Sequence, residues 1–550
     1  MKRVLILGGY GTFGGRIARR AAAAGFEVLV AGRNAAKAHA FCAGEDRLIP
    51  FVVDRDAGLV EALRTQRPFA LIDAAGPFQG ADHAVAEAAI AAGAHYVDIA
   101  DGRDFVCSIG RLDAAARKAG VAVISGASSL PALSGAVTSR LAAGLDTVGA
   151  VEIVLSASSR GTAGASVAAA VLSYLGKPIR LWRGRRPATG WGWQDLQRRD
   201  FTVEGVKPLR RRLVGLADVP DLDLLPARLP GRPAVSFLAG TDVRLHNIGL
   251  WLLSWPVRWH WLESASGLTN LLVRLHGWSR WTSSLRSAFS VRLVGKAGSR
   301  RIERIWTLIA EEGQGPEIPS LAASILLERL DTLVPGARDA GTALTIEDFE
   351  AVLSRMPASW EVRERALPAP AYARVMGTDF DALAPPVRAF HAVLGDTGAA
   401  GRAIVRRGRN PVARLIAALF RFPPAGEHAL HVTVRERNGE EIWTRDFGGR
   451  RFESMLKERG GLLVEHFGLL RFGFDLPLGD DGGLKMVMRR WWLGPMRLPL
   501  AIAPKAPARE WAEDGRFCFD VAIALPLVGL VVAYEGWLEV SPVARETAVP

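Results

Sequence analysis

Near its amino terminus the chain reads Val4-Leu5-Ile6-Leu7-Gly8-Gly9-Tyr10-Gly11-Thr12-Phe13-Gly14-Gly15. Four consecutive aliphatic residues that end at glycine are typical of a strand buried on both faces of a parallel sheet. The Ala-rich segment 17–24, ended by Gly25, predicts a helix. The apolar segment 27–31 then predicts a second strand. Strand, glycine-rich turn, helix and strand together make one βαβ unit, which predicts an α/β fold.

The turn contains three glycines in the pattern G-x-G-x-x-G. Gly9 allows a sharp turn, Gly11 allows the backbone to approach a pyrophosphate, and Gly14 allows the helix to pack against the strand. The free amide groups at the start of the helix favour a negative charge. We therefore predict a dinucleotide site; its residues are Gly9, Tyr10, Gly11, Thr12, Phe13 and Gly14. The alternative is a glycine-rich turn in an α/β domain without a cofactor.

The second strand ends in Gly32-Arg33-Asn34. Domains that bind NAD usually place an acidic side chain here, where it accepts hydrogen bonds from the ribose 2′-hydroxyl. Arginine can instead pair with a 2′-phosphate and stack on adenine. The sequence therefore favours NADP as the cofactor over NAD, which stays possible; alternatively, Arg33 is a solvated residue at the start of the next helix.

Strand and helix patterns alternate as far as residue 125, which predicts a doubly wound, Rossmann-like parallel sheet in a domain spanning 1–147. Ligands of such sheets lie beyond the carboxyl ends of the strands. We therefore add further candidates for cofactor binding, which are Asp54, Ala75, Gly76 and Pro77. Asp98 and Asp101 follow the fifth strand, and they are candidates for proton transfer. A carboxylate at either position could instead cap the next helix or bind the ribose.

Three separated motifs in this part of the chain resemble a known family. They are the glycine pattern, Ala74-Ala75-Gly76-Pro77-Phe78 and His95-Tyr96-Val97-Asp98-Ile99-Ala100-Asp101. In this order they resemble the saccharopine dehydrogenase-like NAD(P)-binding domain, and weaker likeness extends to about residue 355. The resemblance implies hydride transfer by a nicotinamide, with a carbonyl- or imine-type substrate. It does not imply saccharopine itself, because residues 126–131 depart from the pattern of the family.

The regular alternation of strands and helices ends in the segment 148–366. Strands are predicted there at 151–156, 290–297 and 304–310, and helices at 163–175 and 320–333. We expect an α+β domain that completes the substrate cleft and provides a surface for a homodimer. Within it, Trp251-Leu252-Leu253-Ser254-Trp255-Pro256-Val257-Arg258-Trp259-His260-Trp261 precedes Trp278 and Trp281. Tryptophan with leucine and arginine is typical of a segment in a membrane interface. The alternative is a buried cluster that lines a pocket or an oligomer interface.

A proline-rich joint at 367–370 leads to a third part, 379–550. Short runs of alternating apolar and polar residues, separated by turns such as Arg437-Asn438-Gly439, predict an antiparallel sheet or half-barrel. This part resembles an uncharacterised domain at the carboxyl end of bacterial saccharopine dehydrogenase-like proteins. The matching segments are 441–448, 465–468 and 526–538. The resemblance implies a domain boundary but no chemistry.

The composition limits the classes of function. The chain has 550 residues, of which 49% are hydrophobic, and a formal charge of +13. No nucleic-acid module accompanies this charge, so we expect no nucleic-acid partner. The three cysteines are far apart and no His pair has ligand spacing, so neither a disulfide framework nor a metal site is predicted. The amino terminus begins a strand rather than a leader, which predicts a cytoplasmic location.

Taken together, these patterns predict an NADP-preferring oxidoreductase that acts on a small molecule. The substrate is not identified by the sequence, and an apolar molecule is one candidate. A second interpretation remains open from the sequence. In it the protein is a non-catalytic NAD(P)-binding sensor or scaffold, attached to the inner membrane surface through Trp251–Trp261.

Overall fold

The computed structural model of the chain describes residues 1–160, 165–268 and 283–540. It contains three large sheets: a parallel one, a mixed one and an antiparallel one. The predicted fold class is confirmed, because a Rossmann-like sheet is followed by an α+β domain and a β-rich domain. Trp278 and Trp281 lie outside the described residues.

The first sheet has seven parallel strands in the order β15-β6-β5-β4-β1-β2-β3. Chain order reverses between β1 and β4, which creates the crevice in which such sheets bind ligands. The strands are β1 Arg3–Leu7, β2 Glu27–Gly32, β3 Leu48–Val52, β4 Ala70–Asp73, β5 His95–Asp98, β6 Ala122–Ser125 and β15 Gly336–Asp339. The helices are Gly14–Ala23, Ala35–Cys42, Leu59–Gln66, Ala84–Ala91, Arg103–Cys107, Asp113–Ala119 and Ser134–Ala142.

The sequence patterns did not predict the seventh strand of this sheet. β15 lies within the segment assigned to the second domain, yet it pairs in parallel with β6. The helix Ile318–Arg329, just before it, packs its Leu321, Ala322 and Leu326 into the same core as β1. The chain therefore leaves the first domain after residue 147 and returns to it near residue 315.

The second sheet has the order β10-β11-β12-β7-β13-β14-β16. Its strands are β7 Thr147–Ala157, β10 Gln197–Phe201, β11 Leu209–Leu216, β12 Ala234–Thr241, β13 Ser287–Ala297, β14 Arg300–Ala310 and β16 Ala358–Ala366. β8 Pro178–Arg183 and β9 Arg186–Trp191 form a separate hairpin. The helices of this part are Ala165–Tyr174, Asp221–Arg228, Arg244–Arg258, Ile318–Arg329 and Ile346–Leu353.

The third sheet is a closed antiparallel barrel, because β22 at one end of the strand order also pairs with β23 near the other. Its strands are β17 Asp396–Arg407, β18 Gly426–Arg437, β19 Glu440–Phe447, β20 Arg450–Arg459, β21 Leu462–Phe467, β22 Leu470–Asp475, β23 Leu484–Leu493, β24 Met496–Leu498, β25 Ala508–Glu513, β26 Arg516–Leu525 and β27 Gly529–Glu539. The helices Ala371–Met376 and Pro385–His391 precede it, and Pro411–Leu419 follows β17. Because the strands pair around the full circle, the barrel has fewer unpaired strand edges than the predicted half-barrel would have.

No helix within residues 1–160, 165–268 and 283–540 is both long enough and apolar enough to cross a membrane.

Candidate functional site

The glycine-rich turn has the tight geometry that its sequence predicts. Gly8 has φ +68°, a left-handed conformation that glycine adopts without strain. A Cβ atom on Gly14 would lie 2.2 Å from the Gly8 carbonyl oxygen. The Gly11 amide donates to that same oxygen at 2.8 Å. Because the helix begins at Gly14, its first amides face the crevice, and this is the arrangement that binds a phosphate group.

The position of the Tyr10 side chain explains why residue 32 is a glycine. The Tyr10 hydroxyl accepts a hydrogen bond from the Asn34 amide at 3.0 Å. A Cβ atom on Gly32 would lie 2.5 Å from that hydroxyl, so the ring occupies the space above the end of β2. Arg33 is exposed and, within the described residues, its side chain has no hydrogen bond or ion pair. This guanidinium is therefore available to a ligand at the end of β2.

The other predicted cofactor residues border the same edge of the sheet. Asp54 follows β3, and its Oδ1 accepts from the Asp56 amide at 3.1 Å, so this carboxylate holds a turn. Arg55 donates from Nη1 to the Ala75 carbonyl oxygen at 2.7 Å. This bond ties the end of β3 to the loop that contains Gly76 and Pro77. The loop thereby lies next to the glycine-rich turn, where a Cβ on Gly8 would be 2.9 Å from the Ala74 oxygen.

Asp98 is completely buried and serves the backbone. Its Oδ1 accepts from the Gly126 amide at 2.7 Å and from the Ala100 amide at 3.0 Å. Burial raises the pKa of Asp98 to about 7, against the lowering effect of these amides. These bonds join the loop after β5 to the loop after β6. Such a carboxylate shapes the crevice, and proton transfer by Asp98 stays a prediction.

Asp101 lies on the open side of the crevice, beyond the end of β5. It is exposed, and its Oδ1 accepts from Gln79 Nε2 at 2.9 Å. In the second domain, Tyr174 ends the helix Ala165–Tyr174. Burial raises the pKa of Tyr174 well above its usual value, and the nearby carboxylates of Asp101 and Asp218 raise it further. The phenol of Tyr174 therefore stays protonated, in the electrostatic field of Asp101 and Asp218.

One buried arginine fixes the two walls of the crevice relative to each other. Arg103, directly after Asp101-Gly102, donates from Nε to Asp223 Oδ2 at 2.6 Å and from Nη1 to Asp218 Oδ1 at 2.9 Å. Its Nη1 also donates to the Arg180 carbonyl oxygen at 2.8 Å. Hydrogen bonds from a buried guanidinium are strong and directional. Arg103 is therefore a bridge that holds the loop after β5 against the second domain.

A second bridge anchors the helix that follows the glycine-rich turn. Glu317 pairs with Arg16 at 2.7 Å and with Arg20 at 3.0 Å, and both arginines belong to that helix. Glu317 directly precedes the helix Ile318–Arg329, which packs against the first sheet. The segment that re-enters the first domain near residue 315 therefore positions the helix Gly14–Ala23, whose amino-terminal end is the phosphate-binding end.

Sequence reasoning missed Tyr174, Arg103, Asp218 and Gln79. Tyr174 ends an apolar helix that predicts only a core position, although it is one of just five tyrosines in the chain. Asp218 follows β11, and nothing in its neighbourhood in the sequence links it to Arg103. The contact arises only because the second domain folds back over the first sheet.

The tryptophan segment forms the end of the helix Arg244–Arg258 and the turn after it. Trp259 and Trp261 are 51% and 77% exposed, and Leu245 and Leu252 are exposed on the same helix. Trp251, Trp255, Trp259 and Trp261 contact one another in succession, with ring centroids 5.0 to 5.9 Å apart. The segment therefore presents a connected aromatic surface to solvent.

Comparison with family models confirms both predicted resemblances. Residues 4–124 match the saccharopine dehydrogenase NADP binding domain, and residues 383–538 match a domain of unknown function, DUF4166. The first match covers the glycine-rich turn, Arg33 and Asp98. The second covers almost the whole barrel. No curated protein matches the chain.

Two solved structures are similar to parts of this chain. Saccharopine dehydrogenase (L-Glu forming) from Saccharomyces cerevisiae is 13% identical, with a TM-score of 0.45, over 67% of this chain and 100% of that one. The WlbA (WbpB) dehydrogenase from Thermus thermophilus, in complex with NAD and alpha-ketoglutarate, is 12% identical, with a TM-score of 0.31. That match covers 61% of this chain and 90% of the other.

Proposed function

We propose that this protein is an oxidoreductase that uses a nicotinamide dinucleotide, preferably NADP, to interconvert a carbonyl or imine group with the reduced form. The proposal is supported by one observation above all. The glycine-rich turn, the exposed Arg33 and the loop that contains Ala75 meet at one edge of a sheet whose residues 4–124 match an NADP binding domain. The bound nicotinamide would supply or accept the hydride.

The residues of the crevice have separate tasks in this proposal. Tyr174 holds the proton that the substrate oxygen or nitrogen receives when the adjacent carbon gains hydride. Asp101 lies close to that phenol and, with Gln79, accepts hydrogen bonds from the substrate. Arg103 keeps the two walls in register through Asp218 and Asp223. In the reverse direction, Tyr174 takes the proton back as hydride leaves the carbon.

Arg33→Ala is expected to weaken NADPH binding by about tenfold or more, because a charge-assisted pair with the 2′-phosphate is lost. NADH binding should change less than about twofold, since NADH offers no phosphate at that position. The measurement is a titration of the full chain with each cofactor. Arg64→Ala removes another exposed arginine of the same domain and is the matched control. Equal losses for both cofactors would contradict the assignment of NADP.

A second role, association with a lipid surface, is supported by the exposed Trp259 and Trp261. Tryptophan favours the interface between water and lipid because one end of its ring system is apolar and the other is polar. Two arginine-rich segments, 183–186 and 210–212, differ in their availability to anionic lipid headgroups. Arg183 and Arg186 face Asp195 and Asp446 at 3.6 Å, whereas Arg210 and Arg211 are exposed.

The full chain is expected to float with phosphatidylglycerol vesicles in a density gradient. Trp259→Ala combined with Trp261→Ala should reduce the floating fraction severalfold, because two interfacial anchors are lost. Trp511→Ala, on β25 of the barrel, is the control and should float like the wild type. A wild type that stays at the bottom with anionic and with neutral vesicles would refute this role.

A further inference from the structure

The barrel encloses a cavity that the crevice chemistry does not use. Its volume is about 290 Å³, close to the lower end of the roughly 300–1,000 Å³ of ligand pockets. Aromatic and aliphatic side chains from most of the strands line it, among them Leu456, Phe472, Phe519 and Val521. Water is poorly held in an apolar cavity, because it finds too few polar partners there. The cavity therefore suits an apolar molecule.

One end of the barrel is closed by aromatic side chains. Tyr372 stacks on His391 with ring centroids 3.6 Å apart, and Phe390 stacks on Phe517 at 4.2 Å. Tyr372 and Phe390 belong to the two helices before β17, and both line the cavity. These helices act as a plug, so a ligand enters from the opposite end.

The opposite end carries the exposed apolar side chains of the barrel. The links from β17 to β18, β21 to β22, β23 to β25 and β26 to β27 all lie there, as the antiparallel order requires. Exposed residues on these links, or next to them, are Val412, Leu415, Leu419, Leu469, Leu493, Met496, Leu500, Ile502 and Leu527. Ile416 and Phe420 are partly exposed and also line the cavity, so it reaches this end. An apolar rim of this kind favours the entry of an apolar molecule.

The hydroxyl-bearing and charged side chains in the cavity wall form its polar floor, defined as Tyr372, Arg445, Glu465, Glu510 and Tyr534. Arg445 Nη2 donates to Glu465 Oε1 at 3.3 Å, and its Nη1 donates to Ser454 Oγ at 2.8 Å. Glu510 Oε2 is 2.6 Å from Nε2 of the buried His391. Burial and the charges of Glu510 and Glu465 raise the pKa of Tyr372, which keeps its phenol neutral.

The charge of the polar floor selects the polar end of the ligand. Glu465 is paired with the Arg445 guanidinium, and Glu510 contacts the His391 imidazole, so neither basic group of this cluster is left without a carboxylate. A ligand carboxylate would add a further buried negative charge, and its desolvation would not be compensated. A hydroxyl group, in contrast, can donate to a carboxylate oxygen and accept from the Tyr372 phenol.

We propose that the carboxyl-terminal barrel binds an elongated apolar molecule that ends in a hydroxyl group, with the chain in the cavity and the hydroxyl on the polar floor. The class is that of long-chain or isoprenoid alcohols rather than fatty acids. This site is independent of the crevice. A failure of the dinucleotide to bind would therefore leave it untouched.

The test measures the fluorescence of N-phenyl-1-naphthylamine on the full chain, followed by displacement with dodecanol or dodecanoate. The dye should bind, and dodecanol should displace it at concentrations about tenfold or more below those of dodecanoate, because the acid must bury an unpaired charge. Equal or better displacement by dodecanoate would overturn the assignment of an alcohol. A wild type that does not bind the dye would overturn the site.

Two variants locate the binding in the barrel. Ala508 lines the cavity opposite Met486, so Ala508→Phe fills it and should weaken dye binding about tenfold or more. Lys485→Phe places the same side chain on the outer face of β23 and should bind like the wild type. If Ala508→Phe does not fold, Met486→Trp fills the same space. Dye binding that survives in a folded filling variant would place the site outside the barrel and refute the proposal.

Discussion

Gly14→Ala is expected to weaken the binding of NADPH and of NADH by about 100-fold or more. The new methyl group would lie 2.2 Å from the Gly8 carbonyl oxygen and 3.2 Å from the Ala74 side chain. The turn must open to admit it, and the amides that hold the pyrophosphate move apart. Loss of two charge-assisted hydrogen bonds is enough for this factor, at about 1.5–3 kcal/mol each. The measurement is a calorimetric titration with both cofactors.

The matched control is Gly110→Ala in the same domain, where a Cβ meets no atom within 4 Å. Its cofactor binding should equal that of the wild type. Because Gly14→Ala could also disturb the fold, circular dichroism and a thermal melt accompany the titration. Gly11→Val is the second variant, since Gly11 lies on the exposed side of the turn. Wild-type affinity in a folded Gly14→Ala protein would show that the dinucleotide does not use this turn.

Tyr174→Phe is expected to lower the rate of cofactor oxidation by about 100-fold or more while cofactor affinity stays the same. Removal of a positioned proton donor typically costs a factor of this size. The ring keeps its packing, so the cleft retains its shape. The assay follows the absorbance of NADPH when the full chain is mixed with a small-molecule fraction of a cell extract.

Tyr534→Phe is the control for this variant, because Tyr534 is a buried tyrosine on β27 of the barrel and lies outside the first two domains. It should oxidise NADPH at the wild-type rate. A rate of Tyr174→Phe equal to that of the wild type would remove Tyr174 from the proton transfer. The loss in rate without a loss in NADPH affinity separates a catalytic effect from a general disturbance of the fold.

The local patterns predicted most of the elements, because burial and hydrogen bonding within a short segment leave a clear periodicity. Val4–Leu7 and the turn after it predicted the first sheet and its ligand edge, and the alternation at 428–436 predicted β18. Two features depend on distant partners instead. β15 adds to β6 across more than 200 residues, and the barrel closes through the pairing of β22 with β23.

The parts of the candidate site that come from the first and from the second domain also differ in whether the sequence predicts them. Arg33 and the glycines lie within one βαβ unit, so their relation is visible in the sequence. Tyr174, in contrast, belongs to the second domain, which Arg103 of the first domain holds through Asp218 and Asp223. No fixed separation in the sequence identifies a side chain that acts across a domain boundary. Sequence reasoning therefore stopped at Asp98 and Asp101 and did not reach the phenol.

The proposed function requires that the crevice bind a nicotinamide dinucleotide and that the protein use it for hydride transfer. The most direct measurement is a fluorescence titration of the purified full chain with NADPH and NADH, followed by the extract assay. We expect saturable binding that is tighter for NADPH, and oxidation of NADPH that depends on the extract. Absence of binding by either cofactor would refute the dinucleotide site. Tight binding without any oxidation would refute the oxidoreductase activity and favour a sensing role.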